Sequence, residues 1–197
     1  MNRSDMKDKM NPVDNQSASL VSRPSMMEQA IIRGIFEVEC RDKDGNLKWK
    51  DTIKNLVVDV GKNWVLDGIL GSAQTNTGPF MGLISSVGWT GVVAGSTMGT
   101  KNGWSEAGNA NAPTYTAPRK TCAWNAAASG SKALSAALSF TFTGGGTVKG
   151  CFIVLGTGAV NTIDSTAGVL YSAGTFTGGD KVVVNTDVLN VSYTASL

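Results

Sequence analysis

Proton transfer near neutral pH is most often the work of histidine, and this chain has none. The usual shuttle and the commonest metal ligand are lost together. Carboxylates remain. Asp164, Asp180 and Asp187 stand in the later, charge-poor part of the sequence, where a pair of them would suit a glycan-cleaving enzyme. Each lies among turn residues, however, where aspartate is favoured for hydrogen bonds to nearby backbone. The expectation is therefore that the chain is not an enzyme, takes no small-molecule substrate and needs no cofactor. Gly144-Gly145-Gly146 has no Lys-Ser or Lys-Thr after it and opens no helix, so it reads as a turn and not as a phosphate cradle. Asp42–Asn46, DKDGN, has part of a calcium-loop spacing without a glutamate at the twelfth position, and reads as a hairpin turn.

Cys40, Cys122 and Cys151 are odd in number, far apart and without a CxxC pair, which argues against a metal site and a disulfide framework. Their apolar or alternating surroundings make them small buried hydrophobes with free thiols, formed in a reducing compartment. The first twenty residues lack an apolar stretch of signal-peptide length, and no later run approaches the ~20 apolar residues that span a bilayer. These features predict a chain made and assembled in the cytosol.

The elements that must position these residues are mostly strands. Ile32, Phe36, Val38 and Cys40 alternate with Arg33, Glu37, Glu39 and Arg41, the period of a half-buried strand. Pairing about Asp44-Gly45 sets Cys40 opposite Trp49, Phe36 opposite Ile53 and Glu39 opposite Lys50. The charges Glu37, Glu39, Lys48, Lys50 and Lys54 then form a solvated face, a reading preferred to a ligand site. Val65, Leu66, Ile69 and Leu70 recur at helical spacing, with Asp59 at the N-cap, Gly71 ending the helix and Trp64 packing it on the sheet. Residues 80–87, 119–124, 168–176, 181–184 and 188–197 read as further strands. In the last of these Leu189, Val191, Tyr193, Ala195 and Leu197 alternate with Asn190, Ser192, Thr194 and Ser196. Residues 132–155 read as a central hairpin: Ala136, Leu138, Phe140 and Phe142 share a face, the three glycines turn the chain, and the return limb is apolar on both faces. About nine strands and one helix predict an all-β protein, a jelly-roll-like antiparallel β-sandwich spanning residues 29–197.

Residues 1–28 mix charges with Asn, Ser, Gln and Pro and read as an extended arm without a fold of its own. Met6, Met10, Met26 and Met27 are its adaptable anchors if it docks on a partner. The stretch 88–117 is a long Gly/Asn/Thr-rich loop. Its Trp89, Trp104 and Tyr115 either contact a partner or pin the loop to its own sandwich. A net charge of +2 gives no reason to expect nucleic acid or an anionic membrane. Residues 1–67 hold 11 Lys and Arg and 11 Asp and Glu, leaving 6 basic and 4 acidic residues for 68–197. A surface so poor in charge is easily desolvated and suits contact with other protein chains.

Several segments in series resemble a family of tailed-bacteriophage virion structural proteins. They are NLVVDVGKNWVLDGILG at 55–71, FMGLI at 80–84, GWSEAG at 103–108, the run from APRKTCAWNAAASGS to LSFTF, then GCFIVLG, GVLYSAGTF and DVLNVSYTASL. The resemblance covers residues 50–197, and the polar arm before Ile31 departs from it. It implies a capsid decoration or cement protein on the virion surface that binds the major capsid protein, as a dimer or trimer. The alternative it leaves open is a head-fibre or tail-associated host-recognition protein.

Overall fold

The computed structural model describes residues 32–70 and 74–197. The arm at 1–28, with its four methionines, and Gly71 lie outside the described residues. The elements in chain order are β1 (Arg33–Arg41), β2 (Leu47–Lys54), β3 (Leu56–Val57), α1 (Asp59–Leu70), β4 (Phe80–Ser85), β5 (Ser105–Glu106), β6 (Lys120–Thr121), β7 (Ser131–Ala133), β8 (Leu138–Thr141), β9 (Gly146–Leu155), β10 (Val169–Thr175), β11 (Lys181–Val183) and β12 (Val188–Ser196). They form two antiparallel sheets. The first runs β2-β1-β12-β7, with β8 also on β12; the second runs β3-β10-β9-β4-β5, with β11 also on β9 and β6 on β4. The described residues form an all-β sandwich with one helix.

The first sheet takes the register that its alternation dictates. Phe36 faces Ile53, Glu39 faces Lys50 and Cys40 faces Trp49. The turn is a three-residue loop closed by the Gly45 N–H donating to the Asp42 carbonyl at 3.0 Å, with Gly45 at φ 84°, a conformation glycine adopts without steric cost. Asp42 Oδ1 accepts the Asp44 and Asn46 N–H groups, both at 2.9 Å. On the other side of β1 lies β12, with Phe36 opposite Tyr193 and Val38 opposite Val191.

The inner faces of the two sheets meet in one apolar layer that includes Phe36, Ile53, Phe140, Val191, Leu83 and Ile153. A second layer, with Ile84, Phe152, Val154 and Leu170, lies on the far face of the second sheet, where Val58, Met98 and Trp104 cover it. Strand β9 contributes to both layers and is buried along its second half. Its two-faced apolar run is therefore legible as a covered strand. The three thiols are free and buried. Burial pushes Cys40 up to about 11 and Cys122 up to about 12, and raises Cys151, so almost no thiolate exists at neutral pH.

The central hairpin of residues 132–155 does not form. Leu138–Thr141 pairs with Val188–Val191 in the first sheet, whereas Gly146–Leu155 belongs to the second. The two limbs oppose one another through side chains across the core, not through backbone hydrogen bonds. Alternation assigns a strand its faces but not its neighbour, and a limb with one apolar face satisfies it equally well by arching over to the opposing sheet. The glycines also serve another purpose. Gly146 is needed because a Cβ there would lie 2.9 Å from the Pro113 nitrogen. Positive φ is not the reason, because none of the three is among the residues that adopt it.

The helix turns a different face to the sheet than its sequence suggests. Leu66, Ile69 and Leu70 are 53%, 72% and 81% exposed, so the stripe expected in the core faces solvent. Contact is made through Gly61, whose missing Cβ leaves room for the Tyr171 carbonyl, and through half-buried Trp64 beside Gly156. A bare Cα permits closer approach of helix to strand than the leucine stripe would. Asp59 is the first helical residue and not the cap, since the Val58 carbonyl accepts the Lys62 N–H at 3.0 Å.

Gly150 tests the packing of β9 against β10, because a Cβ there would run into the Gly174 carbonyl oxygen. Gly150→Ala is expected to cost about 1–3 kcal/mol, read as a lower midpoint in urea unfolding followed by tryptophan fluorescence.

Candidate interaction surfaces

The charged residues of the later chain are placed by structural duties. Asp164 Oδ2 accepts from Asn109 Nδ2 at 3.1 Å and from the Ala110 N–H at 3.2 Å. Asp180 holds Lys149 Nζ at 2.6 and 2.7 Å. Asp187, almost fully buried, takes Lys48 Nζ at 2.5 Å and the Val184 N–H at 2.9 Å. Each of these carboxylates is engaged by a different set of partners, and each fixes a loop or turn.

The strongest polar contact in the molecule joins Glu106 and Arg119, both with fully buried side chains. Arg119 Nε donates to Glu106 Oε1 at 2.7 Å and Nη2 to Oε2 at 2.6 Å. Nη1 reaches the Val160 carbonyl at 3.0 Å and Nη2 the Ser165 carbonyl at 2.7 Å. Glu106 Oε2 also accepts the Asp164 N–H at 3.0 Å. Residue order does not mark this pair: Glu106 is an isolated charge, but Arg119 stands beside Lys120.

Of the aromatic candidates, Trp104 and Tyr115 are buried, 4% and 3% exposed. Trp104 packs on Phe152, with ring centroids 5.1 Å apart, and Tyr115 meets the edge of Phe140 at 5.2 Å. They pin the 88–117 stretch to its own sandwich and are not surface anchors in this fold. Burial raises the Tyr115 hydroxyl far above its ordinary pKa. Trp89 is half-buried, with Lys149 Nζ 5.5 Å from its ring centroid.

Two concave surfaces lie away from these contacts. An apolar groove of about 290 Å³ is lined by Ile32, Val65, Ala127, Tyr171, Ala195 and Leu197, among others. Ile69 stands one helical turn beyond Val65, so the exposed stripe of α1 continues from the groove wall. Leu197 is itself 75% exposed. The other groove, about 570 Å³, lies on the outer face of the first sheet, with Glu37, Glu39, Lys50, Thr52, Asn190 and Ser192 around it. Here Glu39 binds Arg41 at 2.9 Å and Lys50 at 3.4 Å. Glu37 and Lys50 are exposed, as expected of a solvated face, and Glu39 is half-buried.

At the edge of that sheet Asp51 ties β2 to the turn before β11. Its carboxylate accepts Lys181 Nζ at 2.7 Å, the Thr177 hydroxyl at 2.9 Å, the Gly178 N–H at 3.1 Å and the Thr52 N–H at 2.7 Å. Burial alone would raise its pKa, but the Lys181 ammonium and these donors hold it below the ordinary aspartate value. Among the described residues no group of three or more His, Cys, Asp or Glu side chains is placed to hold a metal ion. No protein-family model, curated protein or solved structure matches this chain.

Two expectations follow. Glu106→Gln leaves the Arg119 charge buried without its counter-ion and is expected to cost about 3–5 kcal/mol, measured by urea unfolding. The depressed pKa of Asp51 contributes stability that is complete above the unfolded value of about 3.9 and is lost as pH falls through the lower folded value. The stability gap between wild type and Asp51→Asn should therefore be widest above about pH 4 and narrow on further acidification, as followed by thermal melts across that range.

Proposed function

We propose that this chain is a non-enzymatic decoration protein of a tailed-bacteriophage capsid, binding the major capsid protein from outside and bridging neighbouring subunits. The observation that carries the reading is an apolar surface that no described residue covers, formed by the groove at Val65 and the stripe Leu66, Ile69 and Leu70. A contiguous apolar patch of this kind marks a site of contact with another macromolecule. The segments that resemble virion proteins support the same reading, because they include β3 with α1, β4, β9, β10 and β12, the frame that presents this surface.

The mechanism is burial of apolar area at a seam between subunits. A protein that binds only the assembled lattice stabilises it by mass action. Attachment would occur in the host cytoplasm, and on the capsid the protein would stand as a dimer or trimer. Trp89, only partly buried, favours a second reading, a head-fibre or tail-associated protein that contacts a host surface. Copy number separates the two.

Quantitative mass spectrometry of purified particles should find hundreds of copies per virion. A handful to dozens would favour the fibre reading, and absence from the particle would refute both. The double variant Ile69→Asp/Leu70→Asp, with both positions solvent-exposed, should remain folded and fail to bind empty shells in co-sedimentation. Undiminished binding would remove the apolar face from the mechanism.

A further inference from the structure

The apolar face proposed for attachment carries a projection and a hollow side by side. The projection is the stripe Leu66, Ile69 and Leu70 on α1, and the hollow is the groove that Val65 borders. One side of the groove comes from α1 and β10, through Val65 and Tyr171; the other comes from β7 and the end of β12, through Lys132, Ala195 and Leu197. A cavity of about 150 Å³ takes a benzene-sized group, so about 290 Å³ has room for about two apolar side chains.

The rims of this face carry opposite charges. Going round the outward side of α1 at about 100° per residue, Val65 is followed by Ile69, Leu66, Leu70 and then Asp67. Asp67 therefore stands on the rim away from the groove, whereas Lys132 stands on the groove's far side. Both are exposed, and neither has an ion-pair partner among the described residues. Lys132 Nζ donates to the Asn125 carbonyl at 3.0 Å, which leaves further N–H groups to give. In the turn of helix before the stripe, Lys62 is already taken up by Asp59 at 3.1 Å.

A two-fold axis through such a face satisfies both features at once. In an isologous pair, residue i meets residue j and j meets i. Each copy's stripe then enters the other's groove, and Asp67 at one rim meets Lys132 at the other, twice. A partner of another kind would need its own projection, hollow and charges in the reversed order. A second copy of the chain has them by construction.

We infer that in solution this face is closed by a second copy of the chain, in a two-fold dimer that must open before a shell can be bound. The inference rests on the attachment reading for what the face does on the shell, and adds how it is covered beforehand. Self-association and attachment then compete, and the apparent affinity for shells is lowered by the fraction of chains held in dimers.

Sedimentation velocity of the full chain from about 1 μM to about 1 mM should show a concentration-dependent equilibrium of monomer and dimer. Asp67→Lys or Lys132→Asp alone sets like charges against each other twice in a homodimer and should weaken it about tenfold or more. The double variant Asp67→Lys/Lys132→Asp should recover the dimer. An equimolar mixture of the two single variants should recover it as well, because each charge again meets its opposite. Both positions are exposed, so melting temperatures should stay near wild type. A chain that is monomeric throughout, a dimer indifferent to both single substitutions, or single variants restored by neither route would each overturn the inference. So would open-ended oligomers, since a head-to-tail contact does not close on itself. Co-sedimentation with empty shells separates the two readings. The Asp67→Lys chain should bind shells at least as tightly as wild type, and loss of shell binding together with the dimer would overturn the competition. If no form binds shells while the charge-swap pattern holds, the attachment reading fails and the dimer stands; if shells are bound by a chain that never dimerises, the reverse is true.

Discussion

The Glu106–Arg119 ion pair is the contact on which the loop architecture depends. An ion pair with no exposure carries a desolvation cost that Coulomb attraction alone does not repay. The surroundings supply the difference. Arg119 uses four N–H groups, two on the carboxylate and two on the Val160 and Ser165 carbonyls, while Glu106 takes a further backbone N–H from Asp164. Arginine can saturate such a site because its donors are fixed in a plane; lysine cannot. Gly82 makes room, since a Cβ there would come within 3.1 Å of Glu106 Oε1 and would strike the Phe152 ring. Three segments distant in sequence thereby acquire one arrangement. The pair contributes to specificity of loop placement more than to net stability, and its complete burial keeps it from touching any substrate.

Much of the first sheet was legible from residue order alone. Its strands have one wet face and one dry face, so only one register satisfies both, and the pairing of β1 with β2 follows without knowledge of the rest. The two-faced burial of β9 was equally legible, because a strand apolar on both sides has to be covered on both. The hairpin of residues 132–155 was misread for a definite reason: period-two alternation carries no information about which sheet a strand joins. The helix was misread because a glycine has no hydropathy to display. Gly61 governs the approach to Tyr171 more strongly than Leu66 or Ile69, and those leucine and isoleucine side chains are left outside.

The same limitation applies to the surfaces. Trp104 and Tyr115 suggested anchors because large aromatics in a long loop suit either a partner or the chain's own core, and only the three-dimensional arrangement distinguishes these. It puts both inside. The residues that do face outward, Leu66, Ile69 and Leu70 on the helix and Glu37 with Asn190 on the sheet, had been accounted for in the sequence as core or as solvated charge. Their interest arises from context: among the described residues nothing covers the apolar stripe, and none gives Glu37 the cation that its neighbour Glu39 has. The two surfaces differ in chemistry, one apolar and one polar.

The pairing of β1 with β12 also governs when the protein can come into being. The hairpin of β1 and β2 is made early, yet one long side of β1 stays unpaired until synthesis has passed Ser196. Through that interval a strand carrying Phe36, Val38 and Cys40 presents open backbone hydrogen bonds to every other nascent chain nearby, the situation in which edge-to-edge association begins. Closure of the first sheet therefore waits until β12 has been made. Whether a given molecule matures or aggregates is decided by a contest between intramolecular closure and encounters on a crowded polysome.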